Sequence, residues 1–462
     1  MSEARAAKAR QANPNRRKEI AWILYDVGNS AFTLLVSTVL PIYFVNLINS
    51  SGLTGVDPSA IWGFATAAVT LCVAVLSPIL GSFADDVGRK KPLFFFSAIL
   101  GVIGCAALGI PMGWIAFLAV FVVAKICYSV SLVFYDAMLT DVTTPERLDD
   151  ISAKGYAFGY IGSCIPFILS IVLILFTELP MAVSILLACL LNALWWFGFT
   201  IPLTREYEQT HFIRRSKNTV RGSFKRLFSV FGKKTDLPNR KGIILFLVAF
   251  FLYIDGVYTI IDIATALGTI LEFSDVTLML ALLLTQIIAF PAAIVFGKIA
   301  ARVRNDILIL ICIVAYMGVG IVGVFLSAEW QFWVLACIVG LFQGGVQALS
   351  RSYFAQLIPA EQSGLLFGIL DIFGKGASFV GTILYSTVAQ LTVNVVIPFR
   401  VNFGAIPIVC LFVAGFVVFV FAARENRKFL FARKASATAV PEAPSDGGNA
   451  APGSEPPQDT HE

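Results

Sequence analysis

Asp26, Lys125, Asp255, Asp371 and Lys375 all stand inside long apolar runs of this 462-residue chain. A charge at the centre of a bilayer costs about 3 kcal/mol on insertion scales, so such groups face a bundle interior or a watery cavity and serve function. Their neighbours add polarity at helical spacing. Asn29 follows Asp26 by one turn, Tyr128 and Ser129 follow Lys125, and Tyr258 and Asp262 follow Asp255. Gln343, Gln347 and Arg351 form a stripe at intervals of four; Asp371 and Lys375 share that interval and could pair directly. Two kinds of chemistry fit. Asp26 or Asp255 can carry a proton, and Lys125 can hold a substrate carboxylate. Together Asp26, Asn29, Lys125, Asp255, Gln343, Gln347, Asp371 and Lys375 would line a cavity of mixed charge suited to an amino acid or similar small zwitterion. The same groups could instead lock helices together as buried pairs and amides.

A second cluster is the stretch Gly81-Ser82-Phe83-Ala84-Asp85-Asp86-Val87-Gly88-Arg89-Lys90-Lys91, squeezed between two apolar runs. Gly81 allows a close approach to a neighbouring helix. Asp85 and Arg89 are four apart and can pair if the helix continues that far. Gly81, Asp85, Gly88 and Arg89 therefore form a candidate gate; the plainer alternative is a charged turn that only sets topology.

The elements that must position these residues follow from composition. The chain is 58% hydrophobic and only 14% charged, with a mean hydropathy of +0.82. A soluble domain is about 25% charged, so lipid is the expected solvent. A span needs about 20 apolar residues. Twelve such runs are present, at 20–48, 59–84, 91–110, 113–139, 151–176, 181–202, 242–271, 276–300, 305–326, 330–357, 361–390 and 398–423. Lys and Arg concentrate at the N-terminus, in the loops after even-numbered spans and after the last span. The positive-inside rule then puts both termini in the cytoplasm. The first run follows a basic segment without a small-residue cleavage site, so it is expected to be a retained span.

The organisation expected is a cytoplasmic segment 1–19, a six-helix bundle 20–202, a basic loop 203–241, a second six-helix bundle 242–423 and a disordered cytoplasmic tail 424–462. Within the basic loop, Val220, Phe224, Leu227, Phe228 and Phe231 recur at helical spacing among cations, as in a helix lying on anionic lipid. The halves read as repeats. Leu24-Tyr25-Asp26 matches Leu252-Tyr253-Ile254-Asp255. Phe296-Gly297-Lys298-Ile299-Ala300-Ala301-Arg302 matches the segment from Leu80 to Asp86, with Ala301 in place of Asp85. Spans 4 and 10 end at Pro145 and Pro359, with Asp136 and Arg351 at similar depth. Two related halves with a site between them near the midplane are a common transporter plan.

Several classes are excluded. The two histidines, His211 and His461, provide no metal site. The eight cysteines fall inside apolar runs without a C-x-x-C pair, so neither a disulfide framework nor a thiol site is indicated. The net charge of +5 follows membrane topology and gives no reason to expect nucleic acid. No nucleophile–base pair suggests an enzyme, and no cofactor is implied.

The spacing G-x-x-x-D-x-x-G-R-K from Gly81 to Lys90 resembles the helix 2–3 loop of the major facilitator superfamily. The resemblance implies that Asp85 faces the N-terminus of helix 11, near Glu361–Gly364, and that breaking this contact accompanies opening to the cytoplasm. Further stretches sharpen it: Trp22–Phe32, Pro41–Phe44, Phe134–Leu139, Gly155–Gly162, Leu252–Val257, Gln343–Ser352 and Phe367–Lys375. These resemble the vacuole-effluxer-like branch, related to the autophagy-linked vacuolar amino-acid exporter of fungi. Asp136 departs from that pattern, where an Asn is expected, and adds a titratable group. The resulting expectation is an all-α integral membrane protein of twelve transmembrane helices in two pseudo-symmetric six-helix bundles. It would be a monomeric secondary transporter of the cell membrane, rocking around a central site and coupled to a proton or another ion. The alternative is a non-transporting receptor or scaffold on the same fold.

Overall fold

The computed structural model describes residues 14–52, 58–214, 237–392 and 402–438, with 226, 227, 230 and 232 between them. Twelve long helices are present among these residues. The first half holds α1 (Arg16–Ser50), α2 (Pro58–Ala84), α3 (Lys90–Ala107), α4 (Trp114–Val142), α5 (Leu148–Leu175) and α6 (Met181–Glu206). The second holds α7 (Arg240–Ile270), α8 (Asp275–Ala300), α9 (Asn305–Val324), α10 (Glu329–Leu357), α11 (Ser363–Leu391) and α12 (Ile406–Thr438). Among the described residues, eleven helices are long and apolar enough to cross a membrane. Phe64, Leu71, Phe96, Phe176 and Leu194 are exposed on their outer faces, as lipid-facing side chains must be.

Helix ends follow local chemistry. Thr143 and Ile358 are extended, α4 and α10 stop there, and a short 3-10 turn leads into α5 and α11. Proline directly after Thr144, and directly after Ile358, disfavours helical backbone in the residue before it. In α1 the missing N–H and the ring of Pro41 disturb the ladder, and residues Leu35–Val39 widen into a π turn.

The two halves pack alike inside. The hydroxyls of Tyr25 and Ser131 meet at 2.7 Å between α1 and α4. Those of Tyr253 and Ser350 meet at 2.6 Å between α7 and α10. Trp22 stacks on Tyr135 and donates to its carbonyl at 2.8 Å. The halves join along α2 with α11, and along α5 with α8 and α10.

Two expectations are corrected, and two others fall outside the described residues. α12 runs on to Thr438, so 424–438 is helix and not tail. Its base is tied in by Asn426, which accepts from Asn239 Nδ2 at 2.6 Å and donates to the Gly242 carbonyl at 3.2 Å. Residues 439–462, and nearly all of the interfacial helix expected around 220–231, lie outside the described residues. α1 begins at Arg16, inside the segment read as preceding the bundle.

Candidate functional site

Polar side chains meet between the halves in layers, at the helix ends joined by the basic loops. In the first layer Asp85, just beyond α2, accepts hydrogen bonds from two backbone N–H groups at the start of α11. Gly364 N lies 2.7 Å from Oδ1 and Leu365 N lies 2.9 Å from Oδ2. A carboxylate at a helix N-terminus satisfies orphan donors and complements the dipole. Burial pushes the Asp85 carboxyl up to about 7, against the downward pull of Lys90 and of these two N–H donors. The approach is possible because Gly81 and Gly364 touch backbone to backbone. Gly88 has a φ of +72°, the left-handed conformation that turns the chain into α3.

Beside it, Lys90 is fully buried and donates to Asp141 Oδ2 at 3.0 Å and to Ser363 Oγ at 2.9 Å. Asp141 at the end of α4 also accepts from Tyr207 (2.6 Å), Thr210 (2.9 Å) and the His211 backbone N–H (2.9 Å), with His211 Nδ1 at 3.0 Å from its Oδ1. The strand-like segment after α6 thus lies under the layer, and Ile213 N donates to the Asp85 carbonyl at 2.8 Å.

Deeper in, Arg351 of α10 reaches into the first half. Its Nη1 donates to Asp136 Oδ1 at 2.9 Å, its Nε to Ser152 Oγ at 2.9 Å and its Nη2 to the Ser152 carbonyl at 3.0 Å. The guanidinium carbon lies 4.3 Å from the ring centre of Tyr156 and 4.6 Å from that of Trp22. Planar stacking, a carboxylate and a carbonyl together hold a buried cation in place. Tyr160 donates to Gln347 at 2.6 Å, and Ser77 donates to Asp371 at 2.8 Å. Past this layer, Lys125 of α4 lies over the Tyr128 ring at 4.9 Å, and its charge reaches Asp262 of α7. Thr33, Ser37 and Asp262 are exposed there although they sit mid-helix.

Comparison with known proteins fits this arrangement. The family model described as "Vacuole effluxer Atg22 like" matches residues 14–146 and 140–428. The chain belongs to that family. The uncharacterized MFS-type transporter YxiO of Bacillus subtilis is 38% identical over 418 residues, covering 89% of this chain and 96% of the relative. Autophagy-related protein 22 of Eremothecium gossypii is 24% identical over 451 residues, covering 84% and 88%. Among solved structures, the human organic anion transporter MFSD10 (TETRAN) matches with a TM-score of 0.69 at 16% identity, over 88% of this chain and 99% of the other. The MFS transporter FucP, in an outward conformation, matches at 0.66 and 11% identity, over 89% and 99%. This Atg22-like chain therefore has the major facilitator fold and is a multi-pass membrane transporter rather than an enzyme.

The structure separates the residues singled out in the sequence. Asp26 is buried against Gly159, takes a 3.3 Å bond from Asn29, and leaves Oδ2 without a hydrogen-bond partner. Asn29 also donates to the Tyr25 carbonyl at 2.8 Å, inside the first bundle. Lys125, Gln347 and Asp371 lie between the halves, as described. Asp255 does not line the cleft. It is fully buried within the second bundle, accepting from Gly381 N at 2.9 Å and Thr259 at 3.3 Å. Gln343 lines a pocket formed within that same bundle. The Lys375 side chain, and with it the Asp371–Lys375 pairing, lies outside the described residues. Asp85 and Arg89 do not pair. α2 ends at Ala84, and Arg89 meets Asp86 at 3.1 Å instead.

Asp136, Arg351, Lys90 and Asp141 were absent from the candidate site. A signal existed for the first two: an acid and a base at matching depth on repeated helices. Lys90 was concealed within a basic triplet that reads as a topology signal.

Proposed function

We propose that this chain transports a small zwitterion, an amino acid or a similar solute, across the cell membrane by alternating access with a proton as coupling ion, both termini lying in the cytoplasm. The observation that carries the reading is a pair of opposite charges from the two halves: the charge of Lys125 reaches Asp262, which is exposed although it sits mid-helix. Lys125 holds the solute carboxylate. Asp262 receives its ammonium group, and Gln347 and Asp371 border the path inward. The likeness to transporters of the same fold supports the rocking motion.

Proton coupling is assigned to the acids around Arg351. Its charge reaches both Asp136 and Asp26. A proton on Asp136 removes the ion pair that joins α4 to α10 and so frees one half from the other. Asp26, buried within reach of the same charge, supports the same step. Asp255, enclosed within one bundle, is left with a helix-locking part.

The test is uptake into sealed vesicles holding the purified protein, with a panel of labelled amino acids and an imposed pH gradient. Saturable, gradient-driven uptake of one or more, lost in Lys125→Gln, is the expected result. A folded protein that moves none of them would favour the receptor or scaffold reading. Uptake indifferent to the pH gradient would describe a uniporter.

A further inference from the structure

The chain leaving α6 crosses the closed layer as a short strap, from Tyr207 to Ile213, on the side of the basic loops. It is tied to the first half throughout. Tyr207 and Thr210 donate to Asp141 of α4 at 2.6 and 2.9 Å. Gln209 Nε2 donates to the Ala84 carbonyl at 3.0 Å, and Ile213 N to the Asp85 carbonyl at 2.8 Å. Glu208 meets Lys18 of α1 at 2.8 Å. His211 is the residue of the strap whose ordinary charge change falls between about pH 5 and 8. Its side chain is 41% exposed, so protons from the basic-loop side reach it directly.

The charges around the ring come from several elements. Its Nδ1 lies 3.0 Å from Asp141 Oδ1, the oxygen that also accepts from the His211 backbone N–H at 2.9 Å. Lys90 of α3, held between Asp141 and Ser363, acts on the ring from the other side of Asp141. The charge of Glu361 reaches it from the second half, where Glu361 stands exposed in the 3-10 turn that leads into α11. Asp85 and the Asp86–Arg89 pair belong to the α2–α3 turn that the strap also touches. Asp141 and Glu361 against the ammonium of Lys90 leave one negative charge about the ring, which an imidazolium cancels and a neutral imidazole does not. We propose that His211 is a proton-operated latch: its imidazolium, bonded to Asp141 of the first half, attracts Glu361 of the second and holds the basic-loop side shut, and its neutral form lets the start of α11 leave. The bond to Asp141 raises the imidazole above its ordinary value of about 6.5. The latch is therefore fully engaged below that value and is lost as pH rises through the raised one. Taken with the orientation and proton coupling proposed above, on which this consequence rests, an acidified cytoplasm slows opening to the cytoplasm and brakes further proton-coupled entry of the solute.

A cysteine at Ala348, buried in the closed layer, reports opening through its labelling by an impermeant thiol reagent from the basic-loop side, in a full-length background lacking the native cysteines. Each variant is compared with the parent at the same pH. That ratio cancels the reagent's own pH dependence and that of Asp85, whose carboxyl is pushed up to about 7 and whose protonation acts in the opposite sense. His211→Gln can still donate to Asp141 but carries no charge. It should label about threefold faster than the parent at about pH 5.5, the scale of a half-exposed ion pair, and equally at about pH 8.5. Glu361→Gln should match it at the lower pH, and the double variant should gain nothing further. His211→Arg, charged at both values, should label slowly at both. A ratio of His211→Gln to parent that is the same at both pH values would overturn the latch. So would a His211→Gln effect undiminished in the Glu361→Gln background, because the attraction across the halves would then be absent. The labelling needs neither solute nor a pH gradient, so failure of the zwitterion reading would leave this result standing.

Discussion

Gly81→Ala is the smallest perturbation that tests the closed layer. A Cβ at position 81 would lie 2.6 Å from the carbonyl carbon of Gly364 and closer still to its oxygen, both backbone atoms of α11. Carbon atoms pack comfortably only from about 3.5 Å, so α2 and α11 must part by about 1 Å. One turn on, Asp85 holds Gly364 N at 2.7 Å and Leu365 N at 2.9 Å. Another 1 Å or so removes both from hydrogen-bonding range. Bonds to a charged group are worth about 1.5–3 kcal/mol each, so the gross loss is roughly 3–6 kcal/mol. Water returning to the Asp85 carboxylate offsets much of this, and about 2 kcal/mol is a conservative net figure, a shift of roughly thirtyfold away from closure. A conformation in which α2 and α11 have already parted has no such clash. The readout is a cysteine placed at Ala348, which is buried in the closed layer, in a background lacking the native cysteines. Its labelling by an impermeant thiol reagent from the basic-loop side should accelerate about thirtyfold. Gly63→Ala is the control, since a Cβ there meets nothing within 4 Å. Unchanged labelling in a folded Gly81→Ala protein would refute the reasoning.

Asp136→Asn deprives buried Arg351 of a charged partner and should lower the stability of the purified protein by roughly 1.5–3 kcal/mol, with Asp136→Glu recovering part of it; equal unfolding temperatures would remove the pair from the argument. The bond to Asp141 raises the His211 pKa above its ordinary value of about 6.5. A value raised on folding stabilises fully below about pH 6.5 and is lost as pH rises through the raised value. The unfolding temperature of the parent should thus fall relative to His211→Asn over that window, and parallel curves would contradict it. Ala301→Asp sets an acid one turn beyond Gly297, which packs on Ala153 and Asp150 at the start of α5; it should loosen closure modestly at low salt and not at high salt, and faster labelling at both would speak against a charge effect. Reporters fused after residue 230 and at the C-terminus should both be cytoplasmic, and one inserted near Asp57 external; an external C-terminal reporter would overturn the proposed orientation.

Much of the fold was legible because apolar length and proline position are one-dimensional. Pro145 and Pro359 marked the ends of α4 and α10 within a few residues. The charged continuation of α12 was not legible as helix, because Arg424 to Lys434 looks like a tail once the apolar run stops. Arg, Glu, Lys and Ala are nevertheless good helix formers, and Asn426 anchors the turn that carries them. The site was harder. Sequence gives a residue's depth along a helix but not which neighbour its face meets. Asp255 has a suitable depth and the wrong azimuth, turned onto Gly381 inside its own bundle. Arg89 failed for a different reason. Spacing of four implies pairing only on a continuous helix, and the chain turns at Gly88 with positive φ. The Arg351–Asp136 contact joins residues 215 apart, beyond any local pattern.

The two gate segments are repeats in sequence but reversed in polarity. Between α2 and α3 the loop supplies the acid, Asp85, and the start of α11 supplies backbone donors. In the equivalent place on the other side the loop residue is Ala301. The acid there is Asp149, in the first turn of α5, and the donors are amides of the second half: Asn305 at the start of α9, and Gln356 of α10 at 3.0 Å. Each side therefore holds one carboxylate against neutral N–H donors, but the carboxylate belongs to the first half both times. Arg351 then meets Asp136 from the second half, so these three acids all belong to the first half, whereas Asp371 of the second half accepts from Ser77 of the first and Lys90 of the first half donates to Ser363 of the second. Protonating Asp85, Asp149 or Asp136 would weaken its own contact between the halves in the same sense, while the Ser77–Asp371 and Lys90–Ser363 contacts do not depend on those acids. On the proposed coupling, a proton on Asp136 would therefore act in the same sense as one on Asp85 or Asp149 and leave the contacts of Asp371 and Lys90 in place.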